Sequence, residues 1–351
     1  MTTSSIPFIR PMTLGEILDQ AFRLYRRNFL IFIFIVAIPY IPLTLFSSGA
    51  MYLYTSSAAS IIGNPSPGLF PSGGFFLGLL GLVVVGILSI ILISGLAAAV
   101  LARAVADTYS GQVVEVFGSY GKTRPAWLNL LGVMLIYLVV VFVLGVWTMV
   151  PCIGWLTGPG VLFFFGIVIL PLVAPIIILE RKGAIDAFRR AWDLSRTRFW
   201  WLLGFVLVLS LLSQLIIVGP TYLVNMLMSY VMSSQGDLQA QLIWTTVIQS
   251  FVQMLGGLLY LPLQLTAMTV VYLDLRVRSE GLDLAMQAAA NAGAETNIIA
   301  LAETSPQPNP NLISGAEVGQ FILLTLAFLA LYAILVGVIF AIMFAAVSAF
   351  Q

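Results

Sequence analysis

The residues best suited to hydrogen-bonding chemistry lie on one face of an otherwise apolar stretch, Leu242–Leu273. On a helix with 3.6 residues per turn, four polar residues fall within about 60° of one another. They are Gln249, Gln253, Tyr260 and Gln264. Gln214, in the preceding apolar stretch, adds a fifth polar group. Such groups in lipid either bond one helix to another or line a hydrated cavity, and both interpretations stay open.

A second set of candidates is basic, and its distribution along the chain is uneven. All fifteen arginines and lysines fall in four windows: Arg10 to Arg27, Arg103 to Arg124, Arg181 to Arg198 and Arg276 to Arg278. Loops that stay in the cytoplasm during membrane insertion are rich in these residues. The cations either fix the topology alone or also contact lipid headgroups or a partner protein. The candidates for such contact are Arg26, Arg27, Arg189, Arg190, Arg276 and Arg278.

Other chemistry is poorly represented in the chain. It contains no histidine and one cysteine, Cys152, which excludes an intrachain disulfide and a Cys/His zinc site. The fourteen acidic residues are scattered, and none lies in the middle of an apolar stretch, where a charge would indicate function. We therefore expect a non-enzymatic protein with no cofactor and no metal site. The net charge of +1 gives no indication of nucleic-acid binding.

Composition and the lengths of the apolar stretches predict a membrane protein. The chain is 60% hydrophobic and 8% charged, with a mean hydropathy of +1.06. A spanning helix needs about 20 apolar residues, and helix is the default fold in lipid. Seven segments qualify: Asn28–Ser47, Phe75–Ala102, Ala126–Val150, Val161–Leu179, Phe199–Val218, Leu242–Leu273 and Phe321–Ala349. The fold class is therefore an all-α integral membrane protein.

The basic windows also predict the arrangement of these segments. Placing every window in the cytoplasm puts the N-terminal tail (1–12) inside and the C-terminus outside a plasma membrane. Residues 13–280 form a six-span domain. Residues 281–318 contain acids but no bases and include a proline-rich run, which is typical of a flexible cytoplasmic linker. Residues 319–351 then add a seventh spanning helix.

The six-span core reads as three similar units, each an interfacial amphipathic helix followed by a transmembrane hairpin. These helices lie near 13–27, 112–124 and 183–197. Thr13 and Glu16 form a capping-box pattern that marks the start of the first. The motif Asp19-Gln20-Ala21-Phe22-Arg23 is echoed by Asp186-Ala187-Phe188-Arg189. Amphipathic helices of this kind lie at the headgroup level of a membrane.

Two further patterns leave alternatives open. Asp107, Glu180 and Asp274 lie at the predicted cytoplasmic ends of spans, where they either anchor helices or form a polar entrance. Arg103 and Arg278 lie four residues from Asp107 and Asp274, so both pairs can form along a helix. In the seventh span, small residues recur at every fourth position. These residues, which favour close packing on the chain's own bundle or on a second subunit, are Ala333, Gly337, Ala341, Ala345 and Ala349.

Three stretches together resemble a known family. They are Thr13-Leu14-Gly15-Glu16-Ile17-Leu18-Asp19, then Glu180-Arg181 with Ala187 to Leu194, and Tyr272-Leu273-Asp274-Leu275-Arg276-Val277-Arg278. Over about residues 10–284 the chain resembles the glycerophosphoryl diester phosphodiesterase membrane-domain family. The resemblance implies a prokaryotic, six-span plasma-membrane protein. It does not imply catalysis, because the separate catalytic domain of some relatives needs histidines that this chain lacks.

The sequence thus favours a membrane-embedded module for lipid or protein partners. The expected partners are membrane lipids, and another membrane protein or a second copy through the seventh span. The alternative is a transporter or channel for a small or lipid-like solute that uses the polar face of the sixth span.

Overall fold

A computed structural model describes residues 10–63, 73–232, 238–291 and 315–349. Every regular element among these residues is helical, and six helices are long and apolar enough to cross a membrane. The predicted all-α membrane class is therefore confirmed, and the chain is a multi-pass membrane protein. The predicted N-terminal tail, apart from Arg10 to Met12, lies outside the described residues.

The described helices are numbered here in chain order. Those of the first half are α1 (Leu14–Arg27), α2 (Phe29–Gly63), α3 (Gly73–Tyr109), α4 (Val116–Thr123) and α5 (Trp127–Trp147). The next three are α6 (Ile153–Glu180), α7 (Ala184–Arg196) and α8, which runs from Phe199 to Met232. The last three are α9 (Leu238–Glu280), α10 (Leu282–Asn291) and α11 (Gly315–Ala349). The six spans are α2, α3, α5, α6, α8 and α9. The short helices α1, α4 and α7 fall within the three segments for which amphipathic helices are predicted.

Local sequence explains how several of these helices begin and end. Thr13 and Glu16 form the capping box at the start of α1, as their spacing predicts. The helices α3, α6 and α9 each end beside a residue with positive φ: Gly111 (69°), Arg181 (51°) and Gly281 (65°). A left-handed residue stops a helix and lets its last carbonyl groups find partners. The chain then turns back at the same end of the bundle in all three cases.

The core lies where α3, α6 and α9 contact one another near these turns. We call this the basic end, and the opposite side of the bundle the far end. Long runs of buried residues occupy the last turns of all three helices, including Leu101, Leu172 and Val271. In α3 and α6 a π-helical segment, at Ile90–Ala97 and Phe165–Ile169, precedes the buried run. Such segments change the direction of a helix.

The short helices connect the hairpins into a closed ring. The sequence analysis assigns each short helix to the hairpin that follows it. In the structure, each short helix instead packs mainly on the hairpin that precedes it in the ring. Helix α4 packs on α3 and α2, and α7 packs on α6 and α5. Helix α1, which has no hairpin before it, packs on α9 of the last hairpin. Tyr25 of α1 donates a hydrogen bond to the carbonyl oxygen of Leu259 at 3.0 Å.

The far halves of the spans are packed less tightly. In the far half of α6, the buried residues are three glycines and Phe164. Large apolar side chains of α3 face outward there, and Leu80 is 59% exposed. Because these surfaces are apolar, they suit contact with lipid chains. The two ends of the molecule therefore differ in how much of their surface is buried by protein.

Helix α11 packs on the far half of α6 through its first turns. The amide of Gly160 donates to the hydroxyl of Thr325 at 3.0 Å, and a Cβ at Gly160 would collide with Thr325 and the Phe321 carbonyl. In this part the helix packs on its own bundle. Ala333 and Gly337 are exposed, and the side chains of Ala341, Ala345 and Ala349 lie outside the described residues. Of the predicted linker, α10 is helical and residues 292–314 are not described.

Candidate functional site

The basic end contains a buried ionic cluster, here called the Glu180 cluster, at the junction of α6, α7 and α9. Glu180 accepts a hydrogen bond from the Tyr272 hydroxyl at 2.9 Å and forms an ion pair with Arg190 at 3.2 Å. Arg276 lies 3.7 Å from Glu180 and binds Glu280 at 2.9 Å. Arg190 also pairs with Glu280. Two cations and two anions therefore neutralise one another inside the protein.

This placement corrects one part of the predicted headgroup surface. Arg190 and Arg276 are only 4% and 2% exposed, and their guanidinium groups bind carboxylates. They hold α7 and α9 against the end of α6 and do not present their charge to lipid. The sequence contained a signal for this cluster that the prediction did not use. Tyr272, Arg276 and Glu280 recur every fourth residue and so share one helical face.

Two other carboxylates at the basic end have comparable partners. Asp107 binds Arg103 at 3.1 Å and Lys122 of α4 at 2.7 Å. Asp274 accepts the Met12 amide at 2.7 Å and binds Arg278 at 2.9 Å. The structure thus confirms both predicted pairs at four-residue spacing. Both carboxylates are buried, which favours the anchoring interpretation over a polar entrance.

The three carboxylates also link the closed ring. Asp107 reaches Lys122 at the end of the second short helix, and Glu180 reaches Arg190 on the third. Asp274, at the end of α9, reaches the backbone just before the first short helix. Arg278 completes this contact because its guanidinium donates to the Met12 carbonyl at 2.6 Å. The ends of α3 and α6 therefore bind the short helices α4 and α7 that follow them, and the end of α9 binds the backbone just before α1.

The remaining predicted headgroup residues keep exposed side chains. Arg26 and Arg27 lie on the outer face of α1 with Arg23, and we call these three arginines the basic stripe. The stripe borders a surface groove of about 540 Å³ that Asp19 and Phe22 also line. The opposite face of α1 is buried against the bundle. Arg189 is exposed on α7, and Arg278 is about one-third exposed at the Met12 contact.

The capping box at the start of α1 fixes the position of the Glu16 carboxylate. The Thr13 amide donates to Glu16 at 2.7 Å, and the Glu16 amide donates to the Thr13 hydroxyl at 3.4 Å. These bonds, with the nearby Arg10, keep the pKa of Glu16 below its ordinary value. A carboxylate in the first turn and arginines in the last both suit the helix dipole. The helix that carries the basic stripe is therefore well defined.

A polar pocket of about 350 Å³ lies in the far half between α2, α3 and α9. Of the five residues predicted to line a cavity, Gln249 and Gln253 do so. Tyr260 is buried instead and donates to the Leu209 carbonyl of α8 at 2.7 Å. Gln264 is half-buried and Gln214 is exposed, and neither is among the described residues that line the pocket. The shared face of the four α9 residues was correct geometrically, but their neighbours differ along the helix.

Helix α2 supplies the opposite wall, which the sequence prediction missed. Its lining residues, spaced so that they share one helical face, are Thr44, Ser47, Ser48, Met51 and Thr55. Helix α9 adds Thr245, Thr246 and Ser250 beside the two glutamines, and α3 adds Leu82. The described lining residues are all uncharged. The three- and four-residue spacing of hydroxyls in the first span was the signal that could have found this wall.

Toward the basic end the pocket is bounded by a close contact between α2 and α9. The Tyr40 hydroxyl donates to the Gln253 carbonyl at 3.3 Å. Its ring lies where a side chain at Gly257 would be, so the absence of a Cβ at Gly257 permits the contact. Tyr40 is one turn below Thr44, and Gly257 is one turn below Gln253. The contact therefore forms the floor of the pocket.

Comparison with protein-family models, curated proteins and solved structures found no match to this chain. The resemblance to the glycerophosphoryl diester phosphodiesterase membrane-domain family stays a prediction.

Proposed function

We propose that the protein is a non-enzymatic, membrane-embedded module for lipid or protein partners, and that anionic lipid headgroups bind its basic stripe. The observation that carries this proposal is the contrast among the arginines. Arg190 and Arg276 form buried ion pairs with carboxylates. The three arginines of the basic stripe instead share an exposed helical face. Exposed cations near an anionic membrane surface each contribute about 1 kcal/mol to binding.

The position of α1 supports a headgroup contact. The helix ends at Arg27, and the first spanning helix begins two residues later at Phe29. Arg26 and Arg27 therefore lie at the level where the chain enters the hydrocarbon. Phe22, 39% exposed, lies beside Arg26 and offers an apolar contact at the same level. A cationic face flanked by an aromatic side chain suits a phosphate headgroup at the membrane surface.

The test compares lipid retention between charge variants. Purified protein is incubated with equal amounts of phosphatidylglycerol and phosphatidylcholine of the same chains, and bound lipid is counted by native mass spectrometry. Replacing Arg26 and Arg27 by glutamine should lower phosphatidylglycerol binding by roughly thirtyfold, from about 2 kcal/mol of lost attraction. Replacing both by lysine keeps the charge and should preserve most of the binding. Unchanged retention in the glutamine variant would contradict the proposal, and an acidic protein partner would then be the occupant to seek.

We further propose that the basic end faces the cytoplasm of a prokaryotic plasma membrane, with the C-terminus outside. The cation distribution supports this orientation. Cys152 is exposed in the turn between α5 and α6 and is a natural reporter for the far end. A membrane-impermeant maleimide should label wild-type cells at Cys152. It should fail to label cells that carry Cys152→Ser with Arg189→Cys. The reverse pattern would refute the orientation.

A transporter or channel for a small or lipid-like solute is the second candidate, and the polar pocket favours it. Flux through reconstituted vesicles should be abolished by Gln253→Leu and unaffected by Gln214→Leu, because Gln253 lines the pocket and Gln214 is not among the described lining residues. Equal flux in both variants would remove this candidate.

A further inference from the structure

Three hydroxyls on the α2 wall of the polar pocket offer hydrogen-bond acceptors to a ligand. The hydroxyls of Thr44, Ser48 and Thr55 donate to carbonyl oxygens of their own helix, at 2.6, 2.7 and 2.9 Å. A hydroxyl has one hydrogen to donate and two lone pairs to accept with. The hydrogens are therefore used within α2, and the oxygens remain as acceptors along the pocket wall.

The facing wall has the same character at Gln249. Its amide nitrogen donates to the side-chain oxygen of Asn225 on α8. The carbonyl oxygen of Gln249 is again an acceptor, and its second amide hydrogen remains a donor. A ligand that matches such walls carries several hydroxyl groups, because a hydroxyl can donate to the wall oxygens and accept from the glutamine amides.

The uncharged walls of the pocket favour an uncharged ligand. The described lining residues contain no carboxylate and no cation. Transferring a charged group from water to an apolar surrounding without a counter-charge is costly. A neutral group with several hydroxyls therefore fits better than an ammonium or a phosphate.

The depth of the pocket indicates the source of that group. Thr44 and Thr55 lie 15 and 26 residues after Phe29, which is about 22 and 39 Å along a helix. The hydrocarbon of a bilayer is about 30 Å thick. The pocket thus straddles the far edge of the hydrocarbon, at the headgroup level of the far leaflet. Met51 and Leu82 in its lining, and exposed apolar residues such as Phe46, suit an acyl chain beside it.

We propose that the polar pocket binds the uncharged, hydroxyl-rich headgroup of a lipid, of the glycosyl diacylglycerol class. The headgroup hydroxyls donate to side-chain oxygens of both walls, among them Thr44, Ser250 and Gln253. The Tyr40–Gly257 contact limits how far the headgroup enters. The acyl chains lie on the apolar flank of α2 and α3. This binding is independent of the basic stripe, which lies at the other end of the molecule, and it does not require transport.

The experiment uses the full chain and defined lipids. Delipidated protein in detergent is mixed with glucosyl dioleoylglycerol, dioleoyl phosphatidylcholine and dioleoyl phosphatidylglycerol, and adducts are counted by native mass spectrometry. The double variant Thr44→Val with Gln253→Leu alters the pocket. The matched control is Thr221→Val with Gln214→Leu, which makes the same replacements on α8, where neither residue is part of the described lining. Thr221 also donates to its own helix, at 2.7 Å, as Thr44 does.

Wild type and the control should retain the glucosyl lipid above both phospholipids. The pocket variant should retain it about tenfold less, as expected for two hydrogen bonds lost inside a membrane. Retention that is equal in both double variants, or equal for all three lipids, would overturn the proposal. Displacement of the lipid by free methyl glucoside at equal concentration would assign the same hydroxyl chemistry to a soluble polyol and overturn the lipid source.

A separate readout distinguishes lost binding from lost folding. Both double variants are first checked by thermal unfolding. The midpoint should be unchanged, because the threonines they replace donate only within their own helices and no bond between helices is seen for either glutamine side chain among the described residues. If the pocket variant does unfold, Ser250→Ala, which deletes one lining hydroxyl, takes its place in the same comparison. Undiminished retention by a folded Ser250→Ala protein would then count against the pocket.

Discussion

The two halves of α6 differ more than their shared hydrophobicity suggests. From Leu170 to Glu180 nearly every residue is buried against other helices, and the segment ends in a neutralised ionic cluster. From Ile153 to Phe164 the buried residues are glycines and one phenylalanine. The first segment is almost fully enclosed by protein, whereas the second packs on α5 and α11 and leaves much of its surface exposed. The difference indicates that protein contacts hold the basic end more firmly than the far end.

The largest effect is expected when Glu180 is removed from the basic end. Glu180→Ala leaves Arg190 and Arg276 buried with one carboxylate between them, and Tyr272 without its acceptor. Breaking a buried pair in this way costs about 3–5 kcal/mol. We expect a large fall in the free energy of unfolding, measured by thermal or denaturant unfolding in detergent micelles. Glu115→Ala, an exposed carboxylate at the same end, should change it by less than about 0.5 kcal/mol. Similar effects of the two changes would mean that the cluster does not secure this end.

A second test compares leucines in the two halves. Leu172 is fully buried in the basic half of α6, whereas Leu80 is 59% exposed in the far half of α3. Leu172→Ala opens a cavity and should lower the free energy of unfolding by about 2 kcal/mol or more. Leu80→Ala loses only lipid contact and should have little effect. The contrast between the two halves would be refuted if both leucines proved equally sensitive in the same unfolding assay.

The turns at the basic end allow a third, smaller test. Gly111 has φ of 69° and open space around its Cα, so an added Cβ there is opposed only by the backbone. Gly111→Ala should therefore destabilise the protein by about 1 kcal/mol. Gly204 lies within α8, also with open space around it, and Gly204→Ala should be neutral or slightly stabilising. An equal response at the two glycines would show that the left-handed turn contributes nothing.

The smallest expected effect is in the far half. Gln249→Leu removes the amide contact with Asn225, and such bonds inside a membrane contribute about 0.6 kcal/mol on average. The free energy of unfolding should fall by about that amount, and the Gln214→Leu control should leave it unchanged. A loss above about 2 kcal/mol would show that the far half is held by polar contacts as firmly as the basic end.

Much of the fold could be predicted from local patterns. The capping box at Thr13, the spans and the pairs at four-residue spacing all depend on residues close together in the chain. The polar pocket was predicted only in part. Gln249 and Gln253 were placed on the correct face, but Gln264 is on that face too and lies outside the pocket. Which residues of that face line the pocket depends on where Tyr40 of α2 meets Gly257 of α9, a contact between residues more than 200 positions apart that no local pattern encodes.

The sequence alone determined the membrane class, the positions of six long apolar helices and the segregation of cations into four windows. These properties follow from the cost of placing each residue in lipid, which applies to a residue almost regardless of its neighbours. Only the tertiary structure decided which arginines are buried and which remain exposed. Arg190 pairs with Glu280, 90 residues away, and Asp274 holds the Met12 amide, 262 residues away. Contacts at such separations form only when the ring of helices closes, so no local pattern distinguishes a headgroup arginine from a buried one.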